Sequence, residues 1–124
     1  ESEPIEYEGK SYPGLRILYD DGVGIASKDE YFINYDPETY EMAWLGYTVT
    51  FYSGEKGEKI SYIRYNDWKN FNGVKLPNSL TWFNVKDGKL IDPRNTRNFV
   101  NVKVSEKAFD DSTFEKTAGA KVVE

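Results

Sequence analysis

Tight-turn signals recur along this chain, and no stretch with a helical period of about 3.6 exceeds a turn or two. Asp36-Pro37-Glu38-Thr39 is typical of a type I turn, with Asp first and Pro second, and Asp87-Gly88 is a strong hairpin signal. Strands joined by such short connections pair antiparallel. The sequence therefore predicts an all-β fold: one curled antiparallel sheet, a half-open barrel built as a meander of about seven to nine strands.

Alternating apolar residues predict where these strands lie. The first dozen residues indicate a loose entry with one short strand, and 66–72 a loop or short helical turn that ends at Leu76-Pro77. The Gly-rich stretch 53–59 predicts a loop tip, and the final segment an irregular tail anchored by Phe109 and Phe114. The predicted strands are 15–19, 23–26, 30–35, 40–52, 59–65, 79–86, 89–91 and 97–104, the last with Val100, Val102 and Val104 on one face.

The predicted strand 40–52 is apolar on both faces. Tyr40, Met42 and Trp44 lie on the face opposite Leu45 and Tyr47. A surface strand of an antiparallel sheet normally has one polar face. Two apolar faces indicate a curved sheet, bent at Gly46, whose concave side is a ligand groove or is covered by further chain. The residues predicted to line such a groove are Tyr40, Met42, Trp44, Tyr62 and Trp82.

Composition excludes several classes of function. The net charge is −5 and no basic cluster stands out, which argues against nucleic acid as a partner. The chain has no His and no Cys, so the commonest general base, thiolate metal sites and Cys nucleophiles are absent. The acidic pairs are explained by turns and do not match the spacing of a calcium loop. We expect no catalytic residue, metal or cofactor, and, without a long apolar run, no integral membrane protein.

Three segments resemble a known group of proteins: YFINYDPETYEMAWLGYTVTF, IRYNDWKNFNGVKLPNSLTWF and NFVNVKVSEKAFDDSTFEKTAGAKVV. Together they resemble the C-terminal half of a family of uncharacterised secreted proteins and lipoproteins from Bacteroidetes-type bacteria. That family is similar to the LolA-like envelope lipoprotein-carrier group. The resemblance implies a half-open barrel with a hydrophobic concavity, in an exported protein of the periplasm or cell envelope of a Gram-negative bacterium. It implies no catalytic residue.

Residues 1–124 are expected to form one antiparallel β domain. Because the chain begins at Glu1 rather than Met, we expect a processed product or an excised fragment, and the resemblance implies the C-terminal part of a larger exported protein. The leading hypothesis for function is a non-enzymatic envelope domain that binds a lipid or another hydrophobic small molecule. One alternative is a structural or protein-interaction module completed by an N-terminal segment or a homodimer partner. The other is a carbohydrate-binding module, suggested by Trp44, Trp68, Trp82 and the many Tyr residues. The sequence leaves the oligomeric state open.

Overall fold

The computed structural model describes residues 1–20, 22, 28–50 and 59–121. Its seven strands form one antiparallel sheet in which spatial order follows chain order, with a short 3-10 helix at Asp111–Phe114. The predicted all-β meander, curled as a half-barrel, is confirmed. The strands are β1 Ser2–Tyr7, β2 Lys10–Ile17, β3 Tyr31–Tyr35, β4 Met42–Tyr47, β5 Ser61–Phe71, β6 Val74–Lys86 and β7 Lys89–Asn98.

Three hairpins close on two-residue turns: Glu8-Gly9, Asn72-Gly73 and Asp87-Gly88. Both residues of each turn have positive φ, from 50° to 88°. This is the requirement of a type I′ turn, whose twist matches that of the flanking strands, and Gly meets it without steric cost at the second position. The hairpin predicted at Asp87-Gly88 is confirmed.

Two local predictions, for the first dozen residues and for the stretch 66–77, are wrong. The first dozen residues form a complete hairpin, β1–β2, rather than a loose entry. The stretch 66–72 continues β5 to Phe71 and turns at Asn72-Gly73, where the Asn70 side-chain oxygen accepts a hydrogen bond from the Gly73 N–H at 2.7 Å. Pro77 does not end a segment but lies inside β6, with paired positions on both sides of it. Pro77 has no backbone N–H to donate, and the long β5–β6 ladder tolerates the loss of that one hydrogen bond.

The hairpin predicted at Asp36-Pro37-Glu38-Thr39 is confirmed, since β3 and β4 pair across it. The Asp36 carboxylate accepts from the Glu38 N–H at 2.9 Å, and Tyr40, at φ 59°, donates its N–H to the Asp36 carbonyl at 2.8 Å. The predicted strand 40–52 is shorter, since β4 ends at Tyr47. The predictions for 23–26, for 51–52 and for all but the last residue of the 53–59 loop lie outside the described residues.

The strand predicted at 97–104 is wrong beyond Asn98, where β7 ends. Asn101 has φ 56°, a left-handed conformation that departs from regular strand geometry, and Val100 is 78% exposed. Phe109 and Phe114 contact each other edge-to-face but are both largely exposed, so they do not anchor the tail on the sheet as predicted. Val-rich alternation forms a strand only where a neighbouring strand is available to pair with it.

The core lies on the concave side of the sheet. Ile5, Tyr12, Trp44 and Phe83 are its buried residues. Tyr7 of β1 contacts Trp44 of β4 and Phe83 of β6, with ring centroids 5.0 Å and 5.4 Å apart. Strands this far apart in the sheet order can touch only because the sheet curls.

Candidate functional site

Trp44 lies at the centre of the core and does not line an open groove as predicted. Its side chain is 0% exposed, and the rings of Tyr7, Tyr12 and Phe83 pack against it edge-on at centroid distances of 5.0, 6.3 and 5.0 Å. Edge-to-face contacts of this kind add to the stabilisation from burial. In this conformation no ligand reaches the Trp44 ring.

The other predicted site residues are spread over separate regions. Trp82 lies on the convex face, because it is opposite Ile63 while its neighbour Phe83 points into the core. Tyr40 is 77% exposed and stacks on Tyr35, with centroids 6.0 Å apart. Met42 borders a small depression near the β3–β4 turn, and Tyr62 lines a larger cleft. The five residues predicted as one groove are therefore not brought together.

The larger cleft, which we call the seam cleft, has a volume of about 550 Å³ and lies between the two ends of the sheet. It is lined by residues 3–6 of β1, by Tyr62 of β5 and by residues 88–90 at the β6–β7 turn. Consecutive residues of a strand point to alternate faces. Because four consecutive residues of β1 line it, the cleft runs along the edge of that strand. A second depression of about 260 Å³ adjoins it and shares Tyr62 and Gly88.

The seam cleft has an apolar floor and a charged rim. Ile5, Leu90 and Tyr62 belong to the core or pack against it. Burial raises the pKa of Tyr62, so its hydroxyl is neutral at ordinary pH and can donate or accept a hydrogen bond. The rim carries two carboxylates, from Glu3 and Glu6, and one ammonium group, from Lys89. The cleft thus combines hydrocarbon surface with polar groups of both signs.

The strand edges at this cleft carry features that disfavour pairing with another strand. Among the described residues β1 and β7 each pair on one side only. Pro4 lies in β1 where the register with β2 is irregular, and Pro93 lies in β7, whose pairing with β6 shifts twice. Proline and irregular register are common devices that protect a free edge. The geometry therefore favours a small molecule in this cleft over an added strand.

The depression near the β3–β4 turn, which we call the turn-end dish, has a volume of about 90 Å³. Arg64 of β5 is one of its lining residues, with the guanidinium carbon 4.6 Å from the Tyr7 ring centroid and 5.6 Å from that of Trp44. Its Nη1 atom forms an ion pair with the Glu8 Oε2 atom at 3.6 Å. Met42 and Ala43 complete a lining formed mainly by Tyr12, Asp36, Glu41, Arg64, Tyr65 and Trp68.

The sequence analysis missed most residues of both depressions. Ile5 and the rest of β1 were missed because Glu8-Gly9 was not interpreted as a turn, although the alternation of Ile5 and Tyr7 before it is a strand signal. Arg64 has no local signal at all, since an Arg in an alternating strand is ordinarily a solvated residue.

The convex face carries an apolar row that crosses five strands. Each member lies directly opposite the next in the ladder. All but Ile63 keep part of their surface exposed, although the concave face is already packed. The convex row consists of Leu15, Ile33, Leu45, Ile63 and Trp82.

The described residues form an all-β half-barrel domain whose surface depressions include the seam cleft and the turn-end dish. Comparisons of the chain with protein-family models, with curated proteins and with solved structures found no significant match. The resemblance to the LolA-like carrier group stays a prediction. In the part of the chain that the structure describes, no helix is long and apolar enough to cross a membrane. Within the same residues no three potential metal ligands cluster.

Proposed function

We propose that this protein is a non-enzymatic binding domain for an amphipathic small molecule, and that the seam cleft holds the ligand's hydrocarbon part. The observation that carries the proposal is the cleft itself, about 550 Å³ of open space with an apolar floor next to a closed core. That volume is in the range of about 300–1,000 Å³ that is typical of small-molecule sites.

The floor supplies the affinity. Ile5, Leu90 and the Tyr62 ring offer apolar surface that a hydrocarbon chain can cover. Each CH₂ group removed from water contributes about 0.8 kcal/mol, so affinity should rise with the length of hydrocarbon that the cleft covers. The rim supplies orientation, because Glu6 and Lys89 hold a polar head at the mouth of the cleft. A carrier or sensor of amphiphiles in a cell envelope would fit this chemistry.

The test compares two neighbouring positions in β7. Leu90 lines the seam cleft, whereas Ile91 is 54% exposed and points to the other side. We expect Leu90→Trp to fill the cleft and weaken binding of dodecylphosphocholine, below its micelle concentration, by about tenfold or more. The matched control Ile91→Trp should leave binding within about twofold. Isothermal titration calorimetry measures both, and circular dichroism checks that both variants fold.

Three amphiphiles with one chain length identify the head group: dodecylphosphocholine, dodecanoate and dodecyltrimethylammonium. Lys89→Glu should weaken binding of dodecanoate and strengthen binding of the cationic amphiphile, because it reverses one charge at the rim. If the wild-type protein binds none of the three, or if Leu90→Trp and Ile91→Trp behave alike, the proposal is wrong.

A further inference from the structure

The turn-end dish contains an unusual arrangement of aromatic rings. Tyr65 and Trp68 of β5 stack with centroids 6.5 Å apart and planes 20° from parallel. Residues three apart in a regular strand point to opposite faces. Asp67, between them, has φ 61°, a conformation that a non-glycine residue rarely adopts. The ring contact brings Trp68 beside Tyr65 at the cavity that both residues line, and each ring keeps part of its surface exposed.

The donors of the dish come from Arg64. Its guanidinium carbon lies 4.6 Å from the Tyr7 ring centroid and 5.6 Å from that of Trp44, and its one ion pair among the described residues is the 3.6 Å contact with Glu8. A guanidinium group carries its N–H donors around its rim. These ring contacts hold the group, and a single ion pair does not use all of its N–H donors, which leaves some of them for a ligand in the dish.

The acceptors come from the two ends of the β3–β4 turn. Asp36 pairs with Lys10 at 2.7 Å, and Glu41 forms an ion pair with Lys75. Both carboxylates line the dish. Because each has a lysine partner, they offer hydrogen-bond acceptors without a large uncompensated charge. The dish thus presents balanced donors and acceptors, which suit a neutral ligand better than an ion.

We infer that the turn-end dish binds a sugar ring of a neutral glycan, independently of the seam cleft. A pyranose has an apolar C–H face that can stack on Trp68 and Tyr65, and hydroxyl groups that can donate to Asp36 or Glu41 and accept from Arg64. A dish of about 90 Å³ is too shallow to enclose a ring. The sugar therefore lies across its surface, with its glycosidic bonds free, as an internal or terminal unit of a longer chain.

The test uses the three tryptophans of the chain, which lie in three different environments. Wild-type protein is titrated with cellohexaose, chitohexaose and mannohexaose, and binding is followed by calorimetry and by NMR shifts of the indole N–H groups. We expect at least one glycan to bind and to shift the Trp68 signal. Trp68→Ala should weaken that binding by about tenfold or more, because aromatic stacking is lost, and Trp68→Phe should restore most of it.

Trp82→Ala is the matched control, because Trp82 lies on the convex face and should leave glycan affinity within about twofold of wild type. Glu41→Gln tests the dish without removing an aromatic ring and should also weaken binding. The inference is overturned if none of the three glycans binds, or if Trp82→Ala weakens binding as much as Trp68→Ala. Leu90→Trp in the seam cleft should not change glycan binding, so the two sites can fail separately.

Discussion

The two faces of the sheet are similar in sequence and different in packing. On the concave face Trp44 has no exposed surface and contacts rings from three other strands. On the convex face the row from Leu15 to Trp82 crosses five strands, and all its members except Ile63 keep part of their apolar surface uncovered. Curvature explains the difference, since side chains on the inside of a curled sheet converge and those on the outside diverge. Apart from Ile63, the apolar residues of the convex row are therefore less buried than those of the concave core.

The largest expected effect comes from truncating one tryptophan on each face. Trp44→Ala should lower the free energy of unfolding by about 3–5 kcal/mol, because it leaves a cavity among Tyr7, Tyr12 and Phe83. Trp82→Ala should lower it by about 1 kcal/mol, since that side chain is already partly in water. Urea unfolding followed by circular dichroism measures both. Equal losses would show that the convex face is as well packed as the concave one.

A smaller effect is expected at Gly46, which lies in β4 on the concave side. A Cβ atom there would lie 2.8 Å from a Tyr62 ring carbon and 3.1 Å from the Phe32 Cβ. Gly46→Ala should therefore lower stability by about 1–3 kcal/mol through overpacking. The double variant with Tyr62→Val should be more stable than the sum of the two single changes predicts, because the clashing ring is gone. Simple additivity would contradict this account.

The smallest effect concerns the ion pair between Lys10 and Asp36 on the rim of the turn-end dish. The hydrogen bond from Lys10, and then that from the Glu38 N–H, lower the pKa of Asp36 below its ordinary value. The stabilisation is therefore present above that ordinary value and is lost as the pH falls through the lowered pKa. Asp36→Asn should be less stable than wild type at about pH 7, and the difference should narrow towards about pH 3. Urea midpoints at both pH values test this. A stability difference between wild type and variant that does not change with pH would show that the ion pair is not its cause.

Local signals predicted the fold well where a turn has a strong residue preference. Asp36-Pro37 and Asp87-Gly88 both mark hairpins of the structure. The same physics operates at Glu8-Gly9 and Asn72-Gly73, which the sequence analysis did not interpret as hairpins. Those two omissions hid β1 and half of the β5–β6 hairpin, and with them one wall of the seam cleft.

The candidate sites were harder to predict than the strands. Tyr40, Met42 and Trp44 share a face under a strict period of two, but the structure separates them. Tyr40 lies in the turn with positive φ, and the β3–β4 register shifts between Asn34 and Tyr35. One irregularity in a strand changes the face of the sheet on which each later side chain lies. The alternation of residues in the sequence does not reveal such an irregularity.

The sequence by itself determined the all-β class, the antiparallel order of neighbouring strands and most of their positions, because short turns and alternation act over a few residues. Only the tertiary structure decided which apolar side chains form the core, which line a cleft and which stay on the surface. That choice depends on the curl of the sheet, and the curl depends on contacts such as Tyr7 with Phe83, which are far apart in the chain. Contacts between distant segments leave no periodic trace in the sequence.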